Sequence, residues 1–131
     1  MIRVQDTPTK LVVVGHAADN SASSNIESNQ VCACVTALTQ TLLVGIRDVA
    51  GDAPSYELGF GKFILNKLGL SEKSIDFCRV FMRGCRILEY QYHDYVRIYR
   101  ADGTEISAKK EEKVSYRSMF PDWRNFVVNR E

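Results

Sequence analysis

From Val31 to Val49 an apolar residue recurs every three or four positions: Val31, Val35, Leu38, Leu42, Ile46 and Val49. A helix completes a turn in about 3.6 residues, so these side chains share one stripe of one long helix. A stripe of that length must be buried against another layer. Asn29 or Ser28 can cap its start, and Gly51 and Pro54 mark its end. The other layer is written just upstream. Lys10-Leu-Val-Val-Val-Gly15 is β-branched and apolar, the pattern of a buried strand. Residues 1–5 read as a second strand, and Thr7-Pro8-Thr9 turns one into the other as an antiparallel hairpin.

The rest of the chain extends both layers. Tyr56 to Leu65 alternates around Gly59-Phe60-Gly61 and reads as another hairpin. Ser71 opens a second helix running to about Tyr90, with Ile75, Cys78, Phe81 or Met82, Cys85 and Leu88 on its apolar face. Tyr95-Val-Arg-Ile-Tyr99 reads as a strand. The expected fold is α+β and two-layered: a small, mostly antiparallel sheet packed against two helices. The expected domain is 1–100, followed by a C-terminal extension, 101–131, of unknown role. Its turn at Asp102-Gly103, its mixed charges at Lys109 to Lys113 and its apolar Phe120, Trp123, Phe126, Val127 and Val128 suggest an ordered appendage or a partner-binding arm.

Composition narrows the function classes. The 131 residues are 45% hydrophobic and 25% charged, which excludes a disordered chain and suits one core. Seventeen Lys and Arg against sixteen Asp and Glu leave a net charge of +1, which argues against non-specific nucleic-acid binding. No uninterrupted apolar run has the length of a membrane span, and Met1 to Pro8 lacks a signal-peptide pattern. A cytoplasmic protein is therefore expected, with its four cysteines reduced.

Two of the reactive side chains make a possible pair. His16 follows a buried strand, and Cys32 falls at the third helical position if Asn29 is the cap. Unpaired first-turn N–H groups and the positive end of the helix dipole would favour a thiolate there and could stabilise an oxyanion. A nearby imidazole would act as general base and then general acid. Ala17 to Ser28, rich in Ser, Asn and Ala, joins them as a loop that could close over a substrate. Spacing alone also allows a blander reading, an inert helix cysteine and a strand-end histidine. Cys34 points about 200° from Cys32 around a helix and reads as a core cysteine, as do Cys78 and Cys85. Cys32 and Cys34 with His16 and His93 would offer four metal ligands. Cys-x-Cys on a helix splays its sulfurs, however, so no metal or other cofactor is expected. His93 lies among Tyr90, Tyr92 and Tyr95, which read as a packed surface or dimer seam, or as the lining of a pocket for substrate phenylalanines.

Gly15-His16-Ala17, followed after a loop by Val31-Cys32-Ala33-Cys34-Val35-Thr36-Ala37-Leu38, resembles the ribosomal-processing cysteine protease (Prp) family. Thr39-Gln40-Thr41, Phe81-Met82-Arg83-Gly84 and Tyr95-Val96 fit the same layout, so the resemblance covers about residues 1–100. It implies a small α+β cysteine endopeptidase, generally homodimeric, of Firmicutes, related bacteria or their phages. Such enzymes serve ribosome biogenesis by removing a short N-terminal leader from a large-subunit ribosomal protein, cutting after paired phenylalanines. Phage members are linked to capsid or scaffold proteins. Carried over, Cys32 is the nucleophile and His16 the base. This chain departs from the family pattern at Asn29, where the family has Asp, at Gln30, where it has an aliphatic residue, and at Thr36, where it has Ser. Asn29 and Thr36 remain candidates for orienting or tuning the pair. The partner implied is a peptide or protein leader, with no direct nucleic acid or membrane. The alternative implied by Asn29, the long loop and the added tail is a catalytically inactive binding or assembly protein on the same scaffold.

Overall fold

A computed structural model describes residues 1–18 and 25–106. In chain order the elements are β1 (Ile2–Asp6), β2 (Lys10–Val14), α1 (Ile26–Val44), β3 (Ser55–Gly59), β4 (Lys62–Asn66), α2 (Glu72–Gln91), β5 (Val96–Tyr99) and β6 (Glu105–Ile106). One six-stranded sheet runs β3-β4-β2-β1-β5-β6. All its pairings are antiparallel except β1 with β5. The fold is thus α+β with a mostly antiparallel sheet. Alternation along the strands buries Ile2, Val4, Leu11, Val13, Phe63, Leu65, Val96 and Ile98 together with residues of the helices. The expected β1–β2 hairpin forms, with Arg3 opposite Val14 and Asp6 opposite Leu11. Thr7 N–H donates to the Lys10 carbonyl (2.8 Å) and closes its turn.

The first helix begins a turn earlier than the sequence suggests. Its cap is Asn25, not Asn29 or Ser28. The Asn25 side chain accepts from Ser28 N–H (2.8 Å), and the Ser28 hydroxyl accepts from Asn25 N–H (2.9 Å), a reciprocal capping box. The apolar stripe could not reveal this turn, because Ile26, its one large apolar residue, faces solvent at 78% exposure. The far end also departs from the expected stripe. A π-helical turn over Gly45–Val49 continues α1 and shifts its phase, so Ile46 is buried while Val49 is exposed. Thr39 is buried, and its hydroxyl donates to the Val35 carbonyl (2.8 Å). By length and composition the segment Ile26–Val49 could cross a membrane. Gln30, Thr36, Thr39, Gln40 and Thr41 interrupt its apolar run, and its buried side belongs to the core.

Ser71 caps α2 as expected, its hydroxyl accepting from Ser74 N–H. Asp52 reinforces this end. Its Oδ2 accepts from Ser71 N–H (2.9 Å), Ser71 Oγ (2.7 Å) and Ser74 Oγ (2.5 Å). Those donors hold the Asp52 carboxyl below the usual carboxylate range. The segment leaving α1 is thereby tied to the start of α2. Cys78 and Cys85 are core residues, and burial pushes their thiols up to about 11 and about 12. Phe81, rather than Met82, is the buried member of its pair. Glycines set the approach of the helices: a Cβ on Gly45 would lie 3.3 Å from the Phe77 ring, and one on Gly84 3.2 Å from Leu38.

Glu89 is the buried charge that the stripe of α2 did not announce. Its Oε2 accepts from Ile98 N–H (3.0 Å), linking α2 to β5, and its Oε1 has no hydrogen-bond partner. Burial raises its pKa above the ordinary glutamate value. β6 pairs with β5, so Glu105 and Ile106 of the expected C-terminal extension belong to the sheet. The acidic, basic and aromatic tail residues beyond Ile106 lie outside the described residues, as does half of the expected loop, 19–24.

Candidate active site

Gly15 ends β2 with φ +103°, a conformation that side chains rarely adopt, and an added Cβ would run into the Met1 carbonyl. Its N–H donates to the Gly61 carbonyl (2.9 Å), binding the end of β2 to the β3–β4 turn. His16 therefore emerges against that turn. Its ring centre lies 4.4 Å from that of Phe60, tilted by 41°. Gly61, at φ +68°, passes so close that a Cβ there would come within 2.7 Å of His16 Cε1. The Phe60-Gly61 turn is a shelf for the imidazole.

Cys32 stands across from this shelf on α1. With Ile26 as the first helical residue, it lies in the second turn, not the first. The expectation that it crowns the helix start, among unpaired N–H groups that would bind an oxyanion, is therefore corrected. A different amide meets the sulfur: Ala17 N–H donates to Cys32 Sγ at 3.4 Å. Ala17 is itself buried and directly follows His16, so one short segment carries both the imidazole and the donor on the sulfur. His16 and Cys32 line the same open cleft of about 330 Å³, with Val13, Leu58, Phe60 and Phe63 among its apolar walls. Thr36 lines it too, its hydroxyl donating to the Cys32 carbonyl (2.8 Å). Asn29 is exposed and is not among the lining residues.

Cys34 is exposed, which corrects its expected place in the core. The buried residues of α1, Ser28, Val31, Val35, Thr39, Leu42 and Leu43, define one arc, centred between Ser28 and Val35. At about 100° per residue, Cys32 falls about 50° from that centre and Cys34 about 110°. Cys32 is accordingly half-buried. Among the described residues no group of three or more His, Cys, Asp or Glu gathers where a metal could bind. His93 is exposed after the end of α2, while Tyr92 and Tyr95 pack partly on the core. None of these lines the Cys32 cleft, so the expected phenylalanine pocket is not built from this cluster. The walls the sequence reading missed are Leu58, Phe60 and Phe63. Their hairpin was legible, but its landing on His16 depends on β2–β4 pairing, which has no local signal.

A thiol and an imidazole in one cleft are the two working parts of a thiol hydrolase. The family model of the cysteine protease Prp matches residues 1–97, and the chain belongs to that family. Among solved structures, the ribosomal processing protease Prp of S. aureus bound to a covalently linked product peptide is similar at 15% identity. That match has a TM-score of 0.62 and covers 76% of this chain and 96% of the other. The Streptococcus mutans protein SMU.848 matches at 18% identity and TM-score 0.61, over 76% of this chain and 90% of that one. The S. aureus protease with a substrate peptide matches at 14% identity and TM-score 0.59, with 76% and 96% coverage. A comparison with curated protein sequences finds no match.

Proposed function

We propose that the chain is a cysteine endopeptidase in which Cys32 is the nucleophile and His16 the base. His16 takes the Cys32 thiol proton as the sulfur attacks the scissile carbonyl. It then passes that proton to the leaving amine, and water hydrolyses the thioester to restore the thiol. Ala17 N–H, already on the sulfur, steadies the reacting atom. Thr36 braces the Cys32 carbonyl. The observation that carries the reading is that one apolar cleft is lined by both Cys32 and His16.

The substrate we infer is a peptide leader. The related S. aureus protease has been seen with substrate and product peptides, and the walls Leu58, Phe60 and Phe63 suit apolar side chains. The inferred reaction removes a short N-terminal leader, cut after paired phenylalanines, from a ribosomal protein or a phage capsid or scaffold protein. The protein is inferred to act in the cytoplasm as a homodimer, and the mechanism calls on no cofactor, nucleic acid or membrane. Cleavage of a Phe-Phe leader peptide tests it. Cys32→Ala and His16→Ala should each abolish turnover, and Cys34→Ala should change little. Undiminished cleavage by Cys32→Ala would overturn the assignment.

One observation favours a second reading. Asn29 occupies the position of the family's Asp and stands off the cleft wall. A protein that binds the leader without cutting it would show sluggish iodoacetamide labelling of Cys32 at pH 6–7, whereas an active dyad labels fast.

A further inference from the structure

When a histidine takes a proton from a nucleophile its ring becomes a cation, and in a Ser-His-Asp triad a carboxylate stabilises that cation. Among the described residues no Asp or Glu lines the Cys32 cleft. Lys62 does line it, with Nζ 2.6 Å from Oε2 of Glu57, which is not among the lining residues. On the backbone side the Met1 amine donates to the His16 carbonyl. Apart from the Cys32 sulfur, the cleft therefore gives a charged His16 no anion to face. What faces the imidazole instead is the ring of Phe60, 4.4 Å away between centres.

Burial does not explain where that ring stands. Phe60 is 97% exposed in the β3–β4 turn, so it withdraws almost no apolar surface from water there. It is nonetheless held in place. The Gly15 N–H bond to the Gly61 carbonyl (2.9 Å) ties its turn to the residue before His16. Gly61 passes so close to the imidazole that a Cβ would come within 3.1 Å of His16 Cδ2. The face of an aromatic ring carries the negative part of its quadrupole and attracts a cation within about 6 Å of its centre. The Phe60 ring meets that distance, at a tilt of 41°. We propose that Phe60 is a positioning residue for His16: its ring steadies the imidazolium formed when the Cys32 Sγ proton moves to His16, and so favours the thiolate that attacks. The proposal rests on the peptidase reading, which supplies the proton transfer. It gives Phe60 a part beyond that of an apolar wall.

The test follows iodoacetamide labelling of Cys32 by peptide mapping from about pH 5 to pH 9, with no peptide substrate present. Phe60→Leu keeps an apolar side chain and removes the ring, and at so exposed a position it leaves the core untouched. It should lower the rate of Cys32 labelling at pH 6 about three-fold and move the midpoint of the pH profile up by roughly half a unit. Phe60→Trp, with a stronger ring face, should restore both, and Cys34 labelling should be the same in all three proteins. With a Phe-Phe leader peptide, kcat of Phe60→Leu should fall by a similar factor. A wild-type profile unchanged in Phe60→Leu would overturn the proposal and leave the peptidase reading standing. So would a rise in KM with unchanged labelling, which would make Phe60 a substrate wall and nothing more, or an equal loss in Phe60→Leu and Phe60→Trp. Wild-type Cys32 labelled no faster than Cys34 at any pH would overturn the Cys32–His16 pair itself, and the role of Phe60 with it.

Discussion

Cys32 and Cys34 stand two positions apart, and their environments separate them. Cys34 is the more exposed, so accessibility alone would make it the first to be alkylated. A working His16–Cys32 pair reverses that order. Peptide mapping after brief iodoacetamide treatment at pH 6.5 should find Cys32 labelled at least ten-fold faster than Cys34. Cys78 and Cys85, buried with their thiols pushed up to about 11 and about 12, should label last. The sequence made Cys32 legible through its neighbours Val31 and Ala33 and through Gly15-His16-Ala17. It hid the exposure of Cys34, because the buried arc takes in Ser28 and Thr39, polar residues whose hydroxyls are satisfied locally, while Val49 of the expected stripe is exposed. Glu89 was hidden for a related reason, since its one bond goes to a strand amide that α2 meets only in the folded sheet. Its raised pKa gives a sign that can be checked. The folded state holds the proton more tightly than the unfolded one, so stability falls as pH rises past the ordinary glutamate value of 4.5. Glu89→Gln keeps an acceptor for Ile98 without the charge. Its gain in stability over wild type, on the order of 1 kcal/mol, should grow between pH 4.5 and 8 in thermal melts.

At the scale of elements, the β3–β4 hairpin matters more for where it lands than for what it is. Gly59-Phe60-Gly61 announced a turn, and a turn is there. That its carbonyl receives Gly15 N–H, and that its face receives the His16 ring, follow from strand pairing between segments far apart in the chain. Gly61→Ala tests this landing. The substitution strains a backbone at φ +68° and drives a methyl into the imidazole. It should cost about 1 kcal/mol or more of stability. It should also lower kcat by roughly 10- to 100-fold through misplacement of His16, the proposed base, measured at substrate saturation and below the melting temperature. The extent of α1 was legible to within a turn at each end. The miss at the start came from an exposed isoleucine, and the miss at the finish from a π-helical turn that no periodicity encodes.

At the scale of the whole molecule, the two-layer α+β arrangement could be read from the alternation of short β-branched runs with two amphipathic helices. The order of the strands could not. β1 sits between β2, its neighbour in sequence, and β5, nearly a hundred residues on and parallel to it, which only the closed fold determines. Asp52 is one of the ties that keep this assembly together, with three donors from Ser71 and Ser74 on one carboxylate oxygen. Its pKa is held below the ordinary 3.8, so its contribution is present above that value and is lost as pH falls through the depressed one. Asp52→Asn should therefore melt lower than wild type at pH 7, and the gap should narrow as the buffer is taken below about pH 4.

Gly15 has no functional group, yet its backbone turns the chain so that His16 meets its shelf. A saturation mutagenesis screen scored on activity would show this glycine as intolerant as Cys32, and a reader of that map would credit it with chemistry. Only a parallel screen scored on abundance would tell the hinge from the proposed nucleophile: losses at Cys32 would leave protein levels intact, and losses at Gly15 would drain them.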